Sequence, residues 1–109
     1  MRWDGPVAVL IDENCASACE IFAAAMAHDD DHLIVGQYPT AGVEAGIYPW
    51  QLPGDLYFQA SIEYFEVDGE VWIEGAGVPP TVDVPVTVET LLSDEDVVLD
   101  AAEEALEEE

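Results

Sequence analysis

The chain has 109 residues, which suits one domain, and half of them are hydrophobic, so a core is within reach. Asp and Glu total 25 against one basic residue, Arg2, for a formal net charge of −24 at pH 7. That charge repels phosphate backbones and anionic membranes, which argues against nucleic-acid and membrane-surface partners.

Taken in chain order, Val7 to Ile11 is an unbroken apolar run and reads as a buried strand. A helix follows from the segment Cys15-Ala16-Ser17-Ala18-Cys19-Glu20, with Cys19, Phe22, Ala23 and Met26 on one face, ending near His28. Asp29-Asp30-Asp31 reads as a solvated loop. Leu33-Ile34-Val35, closed by Gly36, is a second strand. Strand, helix and strand in so short a span predict a βαβ unit with parallel strands.

Tyr38 to Gly54 is rich in Gly and Pro and reads as loop with short extended pieces. From Leu56 to Tyr64 apolar and polar residues alternate, predicting a half-buried strand. Asp68-Gly69 is a hairpin-turn signal that pairs this strand with Val71-Trp72-Ile73. Thr81 to Val88 reads as extended. Ser93-Asp94-Glu95-Asp96 predicts a helix start with Ser93 as cap, ahead of Val97, Val98, Ala101, Ala105 and Leu106; Glu107 to Glu109 reads as a frayed acidic end. No apolar run reaches the roughly 18–20 residues of a membrane span. The first residues show no signal-peptide pattern. Neither linker nor repeat interrupts the chain, so residues 1–109 are read as one domain.

Ser17 is the first candidate site. Ser17-Ala18-Cys19-Glu20 is a capping-box pattern, and that alone accounts for a serine there. A serine at a helix N-terminus also sits where the dipole and free N–H groups favour developing negative charge. No G-x-S-x-G elbow is present. Residues four apart on one helix do not offer the Cβ geometry of a disulfide, so Cys15 and Cys19 are read as small buried hydrophobes. Two sulfurs alone make a poor zinc site. Cys15 as a nucleophile would need a positive neighbour, which the sequence scarcely offers. His28-Asp29-Asp30-Asp31-His32 holds metal-ligand types, yet it reads better as a polar loop, and no EF-hand spacing is present. Trp3, Trp50 and Trp72 read as core or rim aromatics.

The segment from Gly5 to Gly42 resembles the nucleophile region of the C-terminal-processing (tail-specific) serine peptidases and their tricorn-core relatives. The carriers are Cys15-Ala16-Ser17-Ala18-Cys19-Glu20, with Cys15 in place of a first serine, then Val35-Gly36 and Thr40-Ala41-Gly42. Val71 to Pro85 is similar to the family's G-V-x-P-D segment, with Thr81 where an Asp is usual, and Glu89 to Leu106 to its closing helix. The resemblance implies a crotonase-like α/β fold, with a βαβ core, an antiparallel hairpin and a C-terminal helix. It implies that Ser17 is the nucleophile and the Ala18 N–H an oxyanion donor. It implies that Thr40, Gly42 and Tyr48 flank the bound substrate, and that Glu74 orients a histidine, as in the tricorn-like Ser-His-Glu branch.

The family's lysine base is excluded, since the chain contains no lysine and Val43 follows Gly42. His28 and His32 do not match the expected upstream histidine. The resemblance is therefore to the C-terminal half of a catalytic domain, completed by a missing N-terminal half or by a homo-oligomer. The implied partner is a polypeptide substrate hydrolysed through an acyl-enzyme, with no metal and no organic cofactor. The competing reading is a non-catalytic structural or peptide-binding module. The absence of Lys beside abundant Asp, Glu, Ala and Val resembles proteins of high-salt environments. The compartment stays open between an extracytoplasmic site, by resemblance, and the cytoplasm of a salt-adapted organism.

Overall fold

The computed structural model describes residues 3–28, 32–43, 46–67 and 69–108. Strand β1 (Val7–Ile11) leads through a turn to helix α1 (Ala18–Ala27), and β2 (His32–Gly36) returns beside β1. The two strands are parallel, in register from Val7 opposite His32 to Ile11 opposite Gly36. The expected βαβ unit is therefore present. The expected loop at Asp29-Asp30-Asp31 lies outside the described residues.

Two antiparallel ribbons follow. Strand β3 (Ile47–Leu52) pairs with β4 (Leu56–Ser61) through a turn at residues 53–55, where Gly54 and Asp55 both have positive φ. A two-residue ribbon, β5 (Glu66–Val67) with β6 (Glu70–Val71), brackets Gly69; Asp68 lies outside the described residues. Strand β7 (Val82–Asp83) then joins β2 in parallel, giving the sheet order β1-β2-β7. Helix α2 (Val88–Leu91) and helix α3 (Val97–Glu107) close the chain. The class is α/β.

The side-chain parity of β2 divides the core. Residues i and i+1 of a strand point to opposite faces. Ile34 therefore joins Ile11, Ala23, Ala24, Ile73 and Val78 on the α1 side. Val35 joins Val84 and Ala102 on the α3 side, with Ala8, Leu33, Val97 and Val98 packed around them. Ile34 and Val35 have no exposed surface, and truncating either to Ala would cost about 1–4 kcal/mol. Gly36 sits where β2 meets the end of β1; a Cβ there would lie 2.7 Å from the Ile11 carbonyl oxygen, so only glycine fits.

Several expectations need correction. The partner of β4 is β3, a six-residue strand in the stretch expected to be loop with short extended pieces, and not the Val71–Ile73 segment. The ribbon β3–β4 is not half-buried: Tyr48, Trp50, Leu52, Leu56, Tyr57 and Phe58 are all exposed. Among the described residues it packs substantially on no other element, and its aromatics pack on each other, Tyr48 edge-on to Trp50 at 5.0 Å and Trp50 against its cross-strand partner Phe58 at 5.8 Å. The projecting ribbon helps to explain a radius of gyration of 17.4 Å, against about 13 Å for a compact chain of this length.

Helix α3 is capped by Asp96, whose Oδ1 accepts from the Leu99 N–H at 3.1 Å; Ser93 instead accepts from the Glu95 N–H in a preceding turn. The helix starts where the apolar pair Val97–Val98 can reach the sheet, and that selects the nearer cap. Within Thr81–Val88 only Val82–Asp83 is strand, and Val88 already opens α2. Helix α1 buries Glu20, Ala23 and Ala24, while Cys19 and Phe22 are exposed.

Candidate functional site

The turn from β1 into α1 is built by short-range hydrogen bonds. Asp12 Oδ1 accepts from the N–H groups of Asn14 and Cys15 at 2.9 and 3.0 Å, which ends the strand. The Cys19 N–H then donates to the Ala16 carbonyl at 3.3 Å, closing a four-residue turn over Ser17 and Ala18. Ser17 has φ 57° and ψ −119°. Those are the values of the first central position of a type II′ turn, normally a glycine site. Holding serine there stores on the order of 1–3 kcal/mol of backbone strain, and such strain clusters at functional positions. The Ser17 side chain is exposed.

Ser17 stands at the N-cap of α1 with Glu20 at N3, the capping-box arrangement, but its side chain makes no cap hydrogen bond. The Glu20 N–H is taken by the Ser17 carbonyl at 2.8 Å, and the Ile21 N–H shares that carbonyl at 3.1 Å. The Ser17 N–H donates to the Val43 carbonyl at 2.9 Å and to Glu20 Oε2 at 3.1 Å. Ala18 is the first helical residue, a position whose N–H has no partner within the helix. The turn thus presents an exposed hydroxyl beside the positive end of α1.

Glu20 is the residue whose importance the sequence pattern understated. Its carboxylate has no exposed surface. Oε1 accepts from the Thr40 hydroxyl at 2.6 Å and the Gly42 N–H at 2.7 Å; Oε2 accepts from the Val43 N–H at 2.8 Å besides Ser17. Burial alone would raise its pKa, but the donors from Thr40, Gly42, Val43 and Ser17 outweigh it and hold the group below the usual carboxylate range. A carboxylate so held is a poor general base. It ties the loop after β2 to the serine turn. The one local clue was a lone acid on the inward face of an otherwise apolar helix.

A third strand of backbone joins the knot. Thr40 Oγ1 accepts from the Val78 N–H at 2.7 Å, and the Thr40 N–H donates to the Val78 carbonyl at 3.1 Å. The Gly75 N–H donates to the Gly42 carbonyl at 2.8 Å, and the Ala41 N–H to the Cys15 carbonyl at 2.9 Å. Gly77 must be glycine: a Cβ would run into the Thr40 carbonyl, and its φ is +74°. The structure therefore brings Ser17, Ala18, Thr40 and Gly42 together around Glu20.

Thr40 is buried with its hydroxyl engaged inside the protein, and Gly42 is buried at φ +70°. Glu74 is exposed in the turn just before Gly75, lining a groove with Ser61, Glu63 and Tyr64. Tyr48 stands on the exposed ribbon, five residues beyond Val43. Among the described residues no group of His, Cys, Asp and Glu is arranged to hold a metal ion. Asp29, Asp30 and Asp31 of the weighed metal motif lie outside the described residues.

Cys15 and Cys19 are not two buried thiols. They form a disulfide, with Cα atoms 5.3 Å apart. The helix begins only at Ala18, so Cys15 lies on the incoming loop and the geometric objection to an intrahelical bridge does not apply. Cys15 is buried and Cys19 is exposed. A bonded Cys15 is no nucleophile.

A model of peptidase family S41 matches residues 1–84 of the 109. A search of curated proteins finds no match for the chain.

Proposed function

The chain belongs to peptidase family S41, and from that premise we propose that it is the nucleophile-bearing part of a crotonase-like serine peptidase domain, of the tricorn-like branch, acting on polypeptides. The observation that carries this reading is Ser17: an exposed serine held at φ 57° on a strand-to-helix turn. The Ser17 hydroxyl attacks the peptide carbonyl and expels the amine, and water then releases the acyl group. The Ala18 N–H, at the positive end of α1, donates to the oxyanion. Thr40 and Gly42 shape the floor under the substrate from within, and Tyr48 contacts it from the ribbon.

The base comes from outside this copy of the chain. No lysine is present, and the Glu20 carboxylate is already committed to four donors. A histidine supplied by the other half of the domain, or by a second copy, fits the Ser-His-Glu arrangement, with Glu74 orienting it. Support for a further layer of structure comes from β1, which stands at the edge of the three-stranded sheet with Leu10 exposed.

The test is fluorophosphonate labelling in high salt, with and without added imidazole as a base in trans. An imidazole-dependent adduct on Ser17, lost in Ser17→Ala, is the expected result. An adduct without imidazole would place the base in this chain or its oligomer. No adduct under either condition on folded protein would favour the second reading, a non-catalytic peptide-binding module. The specific observation behind that reading is that, among the described residues, the carboxylate bonded at the Ser17 turn is Glu20, already committed to four donors.

A further inference from the structure

We propose that the Cys15–Cys19 disulfide is a redox-sensitive brace on the serine turn: closed, it holds Ser17 in its glycine-like conformation, and opened by a dithiol reductant it lets the turn relax. Three observations carry this. The bridge spans Ala16, Ser17 and Ala18, the same residues that the Ala16–Cys19 hydrogen bond closes. That hydrogen bond is long, at 3.3 Å, and a serine at φ 57° favours leaving the turn. The covalent link opposes that relaxation where the hydrogen bond is weak.

The anchors at the two ends differ. Cys15 is fixed by its N–H to Asp12 and by its carbonyl to the Ala41 N–H. Cys19 sits in the first turn of α1. Opening the bridge therefore uncouples the loop after β1 from the helix, with Ser17 between them.

The sulfurs are within reach of solvent. Cys19 is exposed, and both cysteines line an open cavity of about 550 Å³ together with Leu10, Ile11, Asp12 and Val98. A dithiol entering there attacks as a thiolate on the Cys19 sulfur. The Cys15–Cys19 bond breaks, Cys15 leaves as a thiolate, and a mixed disulfide forms on Cys19. The second thiol of the reductant then displaces Cys19. Two electrons and two protons pass to the cysteines, and the reductant ends as its own disulfide. The strongly acidic surface makes the thiolate of an uncharged dithiol a better attacker than a polyanionic one.

The brace concerns the conformation of the turn; its effect on reactivity rests on Ser17 being the nucleophile proposed above. The test compares the full chain as oxidised, the chain reduced by dithiothreitol under native conditions, and the Cys15→Ala/Cys19→Ala variant. Thiols are counted by alkylation and mass spectrometry, and local opening by amide hydrogen exchange. Expected is release of both thiols without denaturant, with exchange at Ser17 and Ala41 rising about tenfold or more while Ile34 and Val35 stay protected. The imidazole-assisted labelling of Ser17 falls in parallel, in the reduced chain and in the variant alike.

Unchanged exchange at Ser17 and Ala41 overturns the brace. So does reduction that occurs only when Ile34 and Val35 lose protection, since the bridge would then be a plain structural link. Unchanged or faster labelling of the reduced chain overturns it as well. If no redox state is labelled, the peptidase reading of this chain fails, and the exchange result alone decides the brace.

Discussion

The Glu20 carboxylate accepts the Thr40 hydroxyl at 2.6 Å with both residues buried, across twenty positions of sequence. This contact fastens the loop after β2 to the first turn of α1. Through Gly42 and Val43 it fixes the floor on which Ser17 stands.

Replacing Glu20 by Gln keeps the shape but sets an NH2 group against main-chain N–H donors. At least one donor is left unpaired in the interior. The Glu20→Gln chain is expected to lose about 2–4 kcal/mol of stability in urea titrations. Exchange should rise at Ser17, Gly42 and Val43 before it rises at Ile34. A loss under 0.5 kcal/mol, the scale of a surface change, would mean that solvent reaches the carboxylate.

The same residue gives a pH signature. Its folded pKa lies below its ordinary value, so the unfolded chain binds the proton more readily. Its stabilising contribution is complete above the ordinary Glu range, near pH 4.3, and fades as pH falls through the lower folded value. Other carboxylates complicate the wild-type curve, because protonating them relieves repulsion. The difference between wild type and Glu20→Gln isolates the effect. That gap should be constant from neutral pH down to about pH 5 and shrink in stronger acid. A gap that widened in acid would refute the assignment.

Ser17 offers a test of backbone strain. Ala at φ 57° keeps the strain, whereas Gly removes it. Glycine also loses about 0.4–1 kcal/mol through the more flexible unfolded chain. With on the order of 1–3 kcal/mol stored, Ser17→Gly should be more stable than Ser17→Ala by about 1 kcal/mol. Equal melting temperatures would show that the turn relaxes freely.

Two glycines separate strain from collision. Gly54 and Gly77 both have positive φ, but a Cβ at Gly54 meets nothing within 4 Å, whereas at Gly77 it strikes the Thr40 carbonyl. Gly54→Ala should cost about 1 kcal/mol. Gly77→Ala should cost at least about 3 kcal/mol, the range reserved for strain combined with overpacking. Chemical denaturation of the two variants decides this. Similar losses would indicate that the Thr40 loop yields.

The βαβ unit was legible because Val7–Ile11 and Leu33–Val35 are unbroken apolar runs around a helical pattern. Ser17 and its capping box were legible for the same local reason. What lay beyond reach depends on contacts far apart in sequence. Nothing near Glu20 announces Thr40, Gly42 and Val43 as its partners. The length of strand β3 and its pairing with β4 were hidden by Pro49 and the surrounding glycines, since a proline is tolerated in such a ribbon only because β3 is an edge. The disulfide was missed because Cys15 and Cys19 were set on one helix, although a cap at Ser17 already leaves Cys15 on the incoming loop. A helix boundary is the least certain feature of a sequence, and here it decided whether two sulfurs could meet.

The ribbon β3–β4 bears on how this protein behaves in concentrated solution. Its strands carry no charged residue in a chain of net charge −24. It offers aromatic side chains and strand edges, of which only that of β3 is blunted by a proline. At low ionic strength the like charge of every other surface keeps two ribbons apart. Salt shortens that repulsion to a Debye length of about 10 Å at 0.1 M and 3 Å at 1 M. The electrolyte that relieves self-repulsion within one molecule therefore also removes the barrier between molecules. Salt therefore acts on thermal and on colloidal stability in opposite directions, and the uncharged ribbon is the surface on which the second effect would fall.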